Sequence, residues 1–172
     1  MMRRSAVKKA ATCSDCGRYR YLLKRRWSEG ATCLFVGLNP STATADKDDQ
    51  TTRKCITLAK SWGFSGMAIA NLFAIRCRYP NILWTASDPV GPENDAFLET
   101  AIREAHIVIA IWGNHGFNSY GLTTRRDRQI LALYNDWQCI GVTKHGAPRH
   151  PLYAKNTSSL IPFSSPSQAA YA

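Results

Sequence analysis

Polar and ligand-forming side chains concentrate in four stretches punctuated by Gly and Pro. These are Gly37-Leu-Asn-Pro-Ser-Thr42, Asn71 with Arg76-Cys-Arg-Tyr-Pro80, Gly113-Asn-His-Gly116, and Lys144-His-Gly-Ala-Pro-Arg-His-Pro-Leu-Tyr153. Asn71 interrupts the apolar run Met67–Ile75. A buried amide costs on the order of 1–3 kcal/mol unless its hydrogen bonds are made, so Asn71 either caps an irregularity or points into a site. A carboxamide carries both a donor and an acceptor, which suits it to reading the edge of a base. Asn39-Pro40 is also a common turn dipeptide, and His150 before Pro151 fits an ordinary loop, as do His115 and His145. Asp46, Asp48 and Asp49 precede a helical pattern and read as a solvated loop with an N-cap. Cys13-x-x-Cys16 has the spacing of metal ligands, but a zinc or iron–sulfur site needs two more.

The elements that must hold these residues alternate in type. Tyr19, Tyr21 and Leu23 alternate with Arg18, Arg20 and Lys24, a strand period. Thr32–Gly37, Met67–Ile75, His106–Trp112 and Gln138–Val142 are short apolar strands. Helical spacing marks residues 51–62, 93–105 and 124–135. Strands alternating with helices predict a parallel sheet covered on both faces, with ligands bound at the carboxyl ends of its strands. Each polar stretch follows one of the four strands, so all four converge on one edge.

The chain has 172 residues, 45% of them apolar and 10% aromatic, enough for one domain with a real core and too apolar for general disorder. Its longest apolar run, Ile107–Trp112, is far short of the roughly 20 residues of a membrane span. No secretory pattern follows the basic N-terminus, so a cytoplasmic location is expected. Six cysteines in that setting read as thiols, with Cys33, Cys55 and Cys139 acting as small hydrophobes. Net charge is +10, and residues 1–26 hold nine basic side chains against Asp15 alone. A second basic cluster contains Arg125, Arg126, Arg128, Lys144, Arg149 and Lys155. Localised positive charge points to nucleic acid, DNA foremost, or else to a solvated tail. The expected division is a basic tail over 1–17, one domain over 18–155, and a Ser/Pro/Ala-rich tail over 156–172.

Leu34-Phe-Val-Gly-Leu-Asn-Pro-Ser41, the strand containing Asn71, and His150-Pro-Leu-Tyr153 together resemble the uracil-DNA glycosylase superfamily, in order across residues 32–153. More closely, the chain resembles an uncharacterised family of short bacterial and phage proteins with a Gly-Leu-Asn-Pro-Ser-Thr-Ala loop and a Pro-Arg-His-Pro-Leu-Tyr ending. The superfamily resemblance implies a three-layer αβα sandwich, with a mostly parallel four-stranded sheet and an N-terminal antiparallel edge strand. It implies a DNA glycosylase that hydrolyses the N-glycosidic bond of an everted base. By position, Asn39 orients the attacking water, Asn71 reads the base and His150 stabilises the departing base. Leu38, Phe73 and Trp112 would complete the base pocket, while Ser41, Thr42, Arg76, Lys144 and Arg149 would hold phosphates.

Two departures, His-Pro-Leu-Tyr for His-Pro-Ser-Pro and Asn39 for Asp, point to a modified or damaged base rather than uracil. Cys13, Cys16 and Cys77 match three ligands of the iron–sulfur glycosylases, but residues 88–98 lack the fourth, so no metal or other cofactor is expected. The alternatives are a non-catalytic nucleic-acid-binding module on the same fold, and an N-glycoside hydrolase or transferase acting on free nucleosides or nucleotides.

Overall fold

The computed structural model describes residues 7–114 and 125–164. Seven strands form one sheet: β1 Lys8–Cys13, β2 Arg20–Arg26, β3 Thr32–Gly37, β4 Gly66–Asn71, β5 Ile107–Ala110, β6 Gln138–Cys139 and β7 Ile161–Pro162. Their order is β1-β2-β4-β3-β5-β6-β7. The central four, β4, β3, β5 and β6, run parallel. At one edge β1 and β2 are antiparallel, and at the other β7 is antiparallel to β6. The protein is therefore of the α/β class.

Strand alternation sends successive side chains to opposite faces, and both faces are covered. Cys33 and Phe35 of β3, Met67 and Ile69 of β4, and Ile109 of β5 pack with Cys55, Leu58 and Ala59 of helix α1, Gln50–Ser61. Leu34, Val36, Ala70, Val108 and Ala110 face the other way. They pack with Leu98, Ala101 and Ile102 of helix α2, Asn94–Glu104, and with Ile130 of helix α3, Arg126–Leu131. Asp49 caps α1, as its place before the helical pattern predicts: its carboxylate accepts from the Thr52 amide at 2.8 Å. Gly63, at φ +84°, ends that helix, with Gly63 N bonded to Lys60 O and Phe64 N to Ala59 O.

Three strands are shorter than their apolar runs, and β5 is one of them, stopping at Ala110 rather than Trp112. β4 stops at Asn71 rather than Ile75, because Asn94 Nδ2 donates to the Asn71 and Leu72 carbonyls and Arg126 Nε donates to Leu72 O. β6 stops at Cys139 rather than Val142, because Gly141 takes φ +130° and Val142 bridges to Pro148. Helical residues near 124–135 narrow to Arg126–Leu131, and residue 124 lies outside the described residues.

The assignment of 1–17 and 156–172 to tails is corrected in part. Lys8–Cys13 pair with β2, and Ile161–Pro162 pair with β6. Trp62 Nε1 donates to Ser158 O at 2.8 Å, and Phe163 is buried against Trp112. β1 is solvent-exposed at five of its six residues, so backbone pairing holds it and no apolar pattern announces it. Residues 1–6 and 165–172 lie outside the described residues. Among the described residues no helix is long and apolar enough to cross a membrane.

Candidate functional site

Parallel strands deliver their following loops to one edge of a sheet, and here those loops enclose a cavity of about 440 Å³. β3 ends at Gly37 and supplies Leu38, Asn39 and Ser41. β4 ends on Asn71. The chain after β5 adds Ile111, Trp112, Gly113 and Asn114, and the short 3-10 turn Pro151–Tyr153 brings in His150, Leu152 and Tyr153. Arg20 from β2 and Asp49, Thr51 and Thr52 from the start of α1 close the remaining side.

Asn71 is 3% exposed, and its Nδ2 is one of five buried side-chain polar atoms left without a partner among the described residues. Its Oδ1 lies so close to Gly37 that a Cβ there would meet it at 2.9 Å. Glycine at 37 is therefore what admits the carboxamide. Asn94 and Arg126, by holding the carbonyls at the end of β4, fix the backbone from which Asn71 projects.

Asn39 is oriented by the opposite logic. Its Nδ2 donates to Cys77 O at 2.8 Å, Pro40 O at 3.0 Å and Cys77 Sγ at 3.2 Å. With the donor half engaged, Oδ1 is the group left to act on a ligand or water. His150 accepts from Leu152 N through Nδ1 at 3.3 Å, which leaves Nε2 to carry the proton. Burial pushes the imidazole below its ordinary pKa, opposed in part by the charge of Asp49. The site therefore offers a neutral imidazole N–H, an open amide N–H and an amide oxygen.

Leu38, Trp112 and Ser41 also line this cavity. Trp112 is 2% exposed, wedged edge-on against Trp137 and Phe163 at 5.8 and 6.0 Å between centroids, with Nε1 unpartnered. Thr42 faces an adjoining cleft that shares Ser41, Asp49, Thr51, Arg78 and Leu152 with the cavity. Phe73 is not in the site. β4 has ended two residues earlier, so strand parity no longer puts Phe73 beside Asn71; it lies in the α2-side core, edge-on to Trp84.

Arg76, Lys144 and Arg149 do not line the cavity, although Thr143 Oγ1 donates to Asn114 Oδ1 at 2.7 Å and ties the Lys144–Arg149 loop to the rim. Cys13 and Cys16 are exposed in the β1–β2 hairpin, while Cys77 is buried and serves Asn39 as an acceptor. Among the described residues no three His, Cys, Asp or Glu side chains gather as a metal site, so the three cysteines do not form one. His115 and Gly116 of the third stretch lie outside the described residues.

Sequence reasoning missed Arg20, Asp49 and Arg78 as cavity residues. Arg20 was counted as part of a surface patch, and its alternation with Tyr19 and Tyr21 hid that it is only 3% exposed. The basic N-terminal segment is largely employed in structure. Arg25 is buried, donating to Asp48 at 2.8 Å and to three carbonyls, while Lys9, Lys24 and Arg26 make ion pairs.

Fold and site together define an α/β protein with a polar cavity at the carboxyl edge of a parallel sheet. The chain belongs to the family described as Protein of unknown function (DUF1643), whose profile matches residues 20–152, a span running from the cavity's Arg20 to its Leu152. No curated protein and no solved structure matches it.

Proposed function

We propose that the protein hydrolyses the N-glycosidic bond of an everted, modified or damaged nucleotide in DNA, on a uracil-DNA glycosylase-like fold. The observation that carries this reading is the meeting of Asn39, Asn71 and His150 around one cavity, within the size range of small-molecule sites. Four parallel strands with helices on both faces and an antiparallel N-terminal edge are consistent with it.

In this mechanism the bond from C1′ to the base breaks with its electron pair leaving on the base. His150 Nε2–H donates to the base oxygen where that charge accumulates, and such a donor contributes roughly 10²–10³ in kcat. Asn71 reads the base edge. Asn39 Oδ1 accepts a hydrogen bond from the water that attacks the oxocarbenium-like carbon. So electron-poor a carbon needs orientation of the water more than its deprotonation. The water's proton is released as the new C–O bond forms, and the departed base takes up one proton.

A polymeric substrate is supported by the mouth of the cavity. Leu152 and Tyr153 are 47% and 80% exposed there, apolar surface that flanking bases would cover. Arg18, Arg76, Arg78, Lys144 and Arg149 stand in loops at the same end of the sheet, and none is ion-paired among the described residues. Everting a nucleotide is required because a base in a duplex is out of reach.

The test is incubation with oligonucleotides bearing a panel of modified bases, followed by alkaline cleavage at abasic sites. Cleavage of at least one substrate is expected, reduced about a hundredfold or more in Asn39→Ala and His150→Ala. No abasic product from any substrate would remove the proposal and leave a binding module on this fold.

A further inference from the structure

The glycosidic reading makes no use of Arg20. Its guanidinium lies inside the protein: the residue is 3% exposed yet lines the same cavity as Asn71. One contact is local, with Nη1 donating to Ala43 O at 2.8 Å, while Nε is buried without a partner. Among the described residues no carboxylate comes within ion-pairing distance of it. The carboxylate that does act on it, Asp49, is committed elsewhere, accepting from Thr52 N at 2.8 Å and Ala43 N at 3.3 Å. Arg76 and Arg25 add further positive charge to its surroundings. Burial pushes its pKa down to about 10, with Asp49 opposing, so it stays cationic at neutral pH.

A desolvated charge without a counter-ion is costly, and proteins ordinarily pair it. Here the interior supplies no pair, and the residue lines a cavity that admits a ligand. Backbone phosphates of nucleic acid are gripped by side chains at the protein surface, whereas this cation can be reached only by what enters the cavity. A guanidinium also matches a group whose negative charge is spread over two acceptor atoms.

We propose that Arg20 is a substrate-binding residue that receives an anionic group of the molecule in the cavity, either a phosphate carried by the bound nucleotide or the ionised edge of its base. The assignment rests on the cavity being a nucleotide site and goes beyond it by giving the occupant a charge.

Calorimetric titration of the full chain tests it. The probes are the four 2′-deoxynucleoside 5′-monophosphates, the matching deoxynucleosides, inorganic phosphate, and xanthine below and above its ionisation. At least one anionic probe is expected to bind about ten- to a hundredfold more tightly than its neutral counterpart. A preference among the nucleotides identifies the phosphate as the source; a preference confined to ionised xanthine identifies the base. The preference should vanish in Arg20→Met and return in part in Arg20→Lys, with thermal melts confirming that both variants fold.

Equal affinity for charged and neutral probes, no binding of any probe to a cooperatively melting wild type, or a charge preference that survives Arg20→Met would each overturn the assignment. Because binding is measured without turnover, the two readings fail separately. A preference that follows Arg20 while no oligonucleotide yields an abasic site leaves Arg20 in place and removes the glycosylase. Turnover without a charge preference does the reverse.

Discussion

Gly37→Ala separates the site from the fold that carries it. Gly37 closes β3 and is not among the glycines with positive φ, so alanine can adopt its backbone conformation. Removing glycine's freedom from the unfolded chain is worth about 0.4–1 kcal/mol in favour of the variant. Against that, the new Cβ would meet Asn71 Oδ1 at 2.9 Å, while its next neighbours, Ile111 Cδ1 at 3.9 Å and Ala70 O at 4.0 Å, are at ordinary contact. The whole conflict therefore falls on one side chain. Relief requires the carboxamide to retreat by roughly 0.5 Å, at a rotamer cost of about 0.5–1.5 kcal/mol. The two effects nearly cancel, so the melting temperature should change by no more than about 4 °C.

The site should feel the change far more. A 1 Å misplacement can cost on the order of a hundredfold, so half that displacement predicts about a tenfold fall in kcat/KM for base release. A second readout needs no substrate: the Asn71 side-chain amide resonances in a 15N–1H spectrum should shift. Unchanged Asn71 resonances together with undiminished base release would refute the account of Gly37 as the residue that admits this amide. A collapse of the melting temperature would show that Gly37 serves the fold instead.

The remaining predictions concern protons, thiols and one buried ion pair. His150 resists protonation in the folded state because burial holds its pKa below 6.5, so its contribution to stability is present above that pH. That contribution is lost as the pH falls toward the folded value. The wild type should thus lose stability more steeply than His150→Gln on acidification below pH 6.5; superimposable stability profiles would count against a buried, neutral imidazole. Cys13 and Cys16 are exposed and the other four cysteines buried, so native alkylation followed by mass spectrometry should show two fast sites. Cys16 should react first, its thiol pKa lowered by the hydrogen bond to Ser14. Asp48→Asn removes the carboxylate paired with the fully buried Arg25 side chain, and urea titration should show a loss of about 3 kcal/mol; a loss under about 1 kcal/mol would mark the pair as a surface contact.

Legibility followed the strength of the hydrophobic pattern. β3 is buried on both faces between helices, so its apolar run reads correctly at both ends; β5 lies within its run but ends two residues before Trp112, and α1 carries both a capping aspartate and a terminal glycine. β1 has no apolar face, and β7 is two residues long with both exposed, so no periodicity could have announced either. The ends of β4 and β6 were misjudged for a different reason. Apolar residues continue past both, and what stops the strands lies outside that pattern: contacts from the distant Asn94 and Arg126 at one, the positive φ of Gly141 at the other. Phe73, expected as an aromatic face for the base, follows the end of β4 and lies in the α2-side core instead.

Charge was the least legible property, because a count cannot tell a solvated cation from a buried one. Arg20 and Arg25 belong to the same basic run, five residues apart: Arg25 is closed off by Asp48 and three carbonyls, while Arg20 lines a cavity and has its Nε unpartnered. Deleting residues 1–26 would remove both, along with the two strands that cover the edge of β4, so lost DNA binding in that truncation would report unfolding as readily as lost contact. Surface charge has to be tested where it is surface. Arg18 and Lys144, exposed in loops at the cavity end of the sheet, can be changed to glutamine without touching a strand. A salt-dependent loss of DNA affinity there, with Lys8→Gln at the far end of the hairpin as the control, would locate the polyanion at the mouth of the cavity rather than along the N-terminal edge.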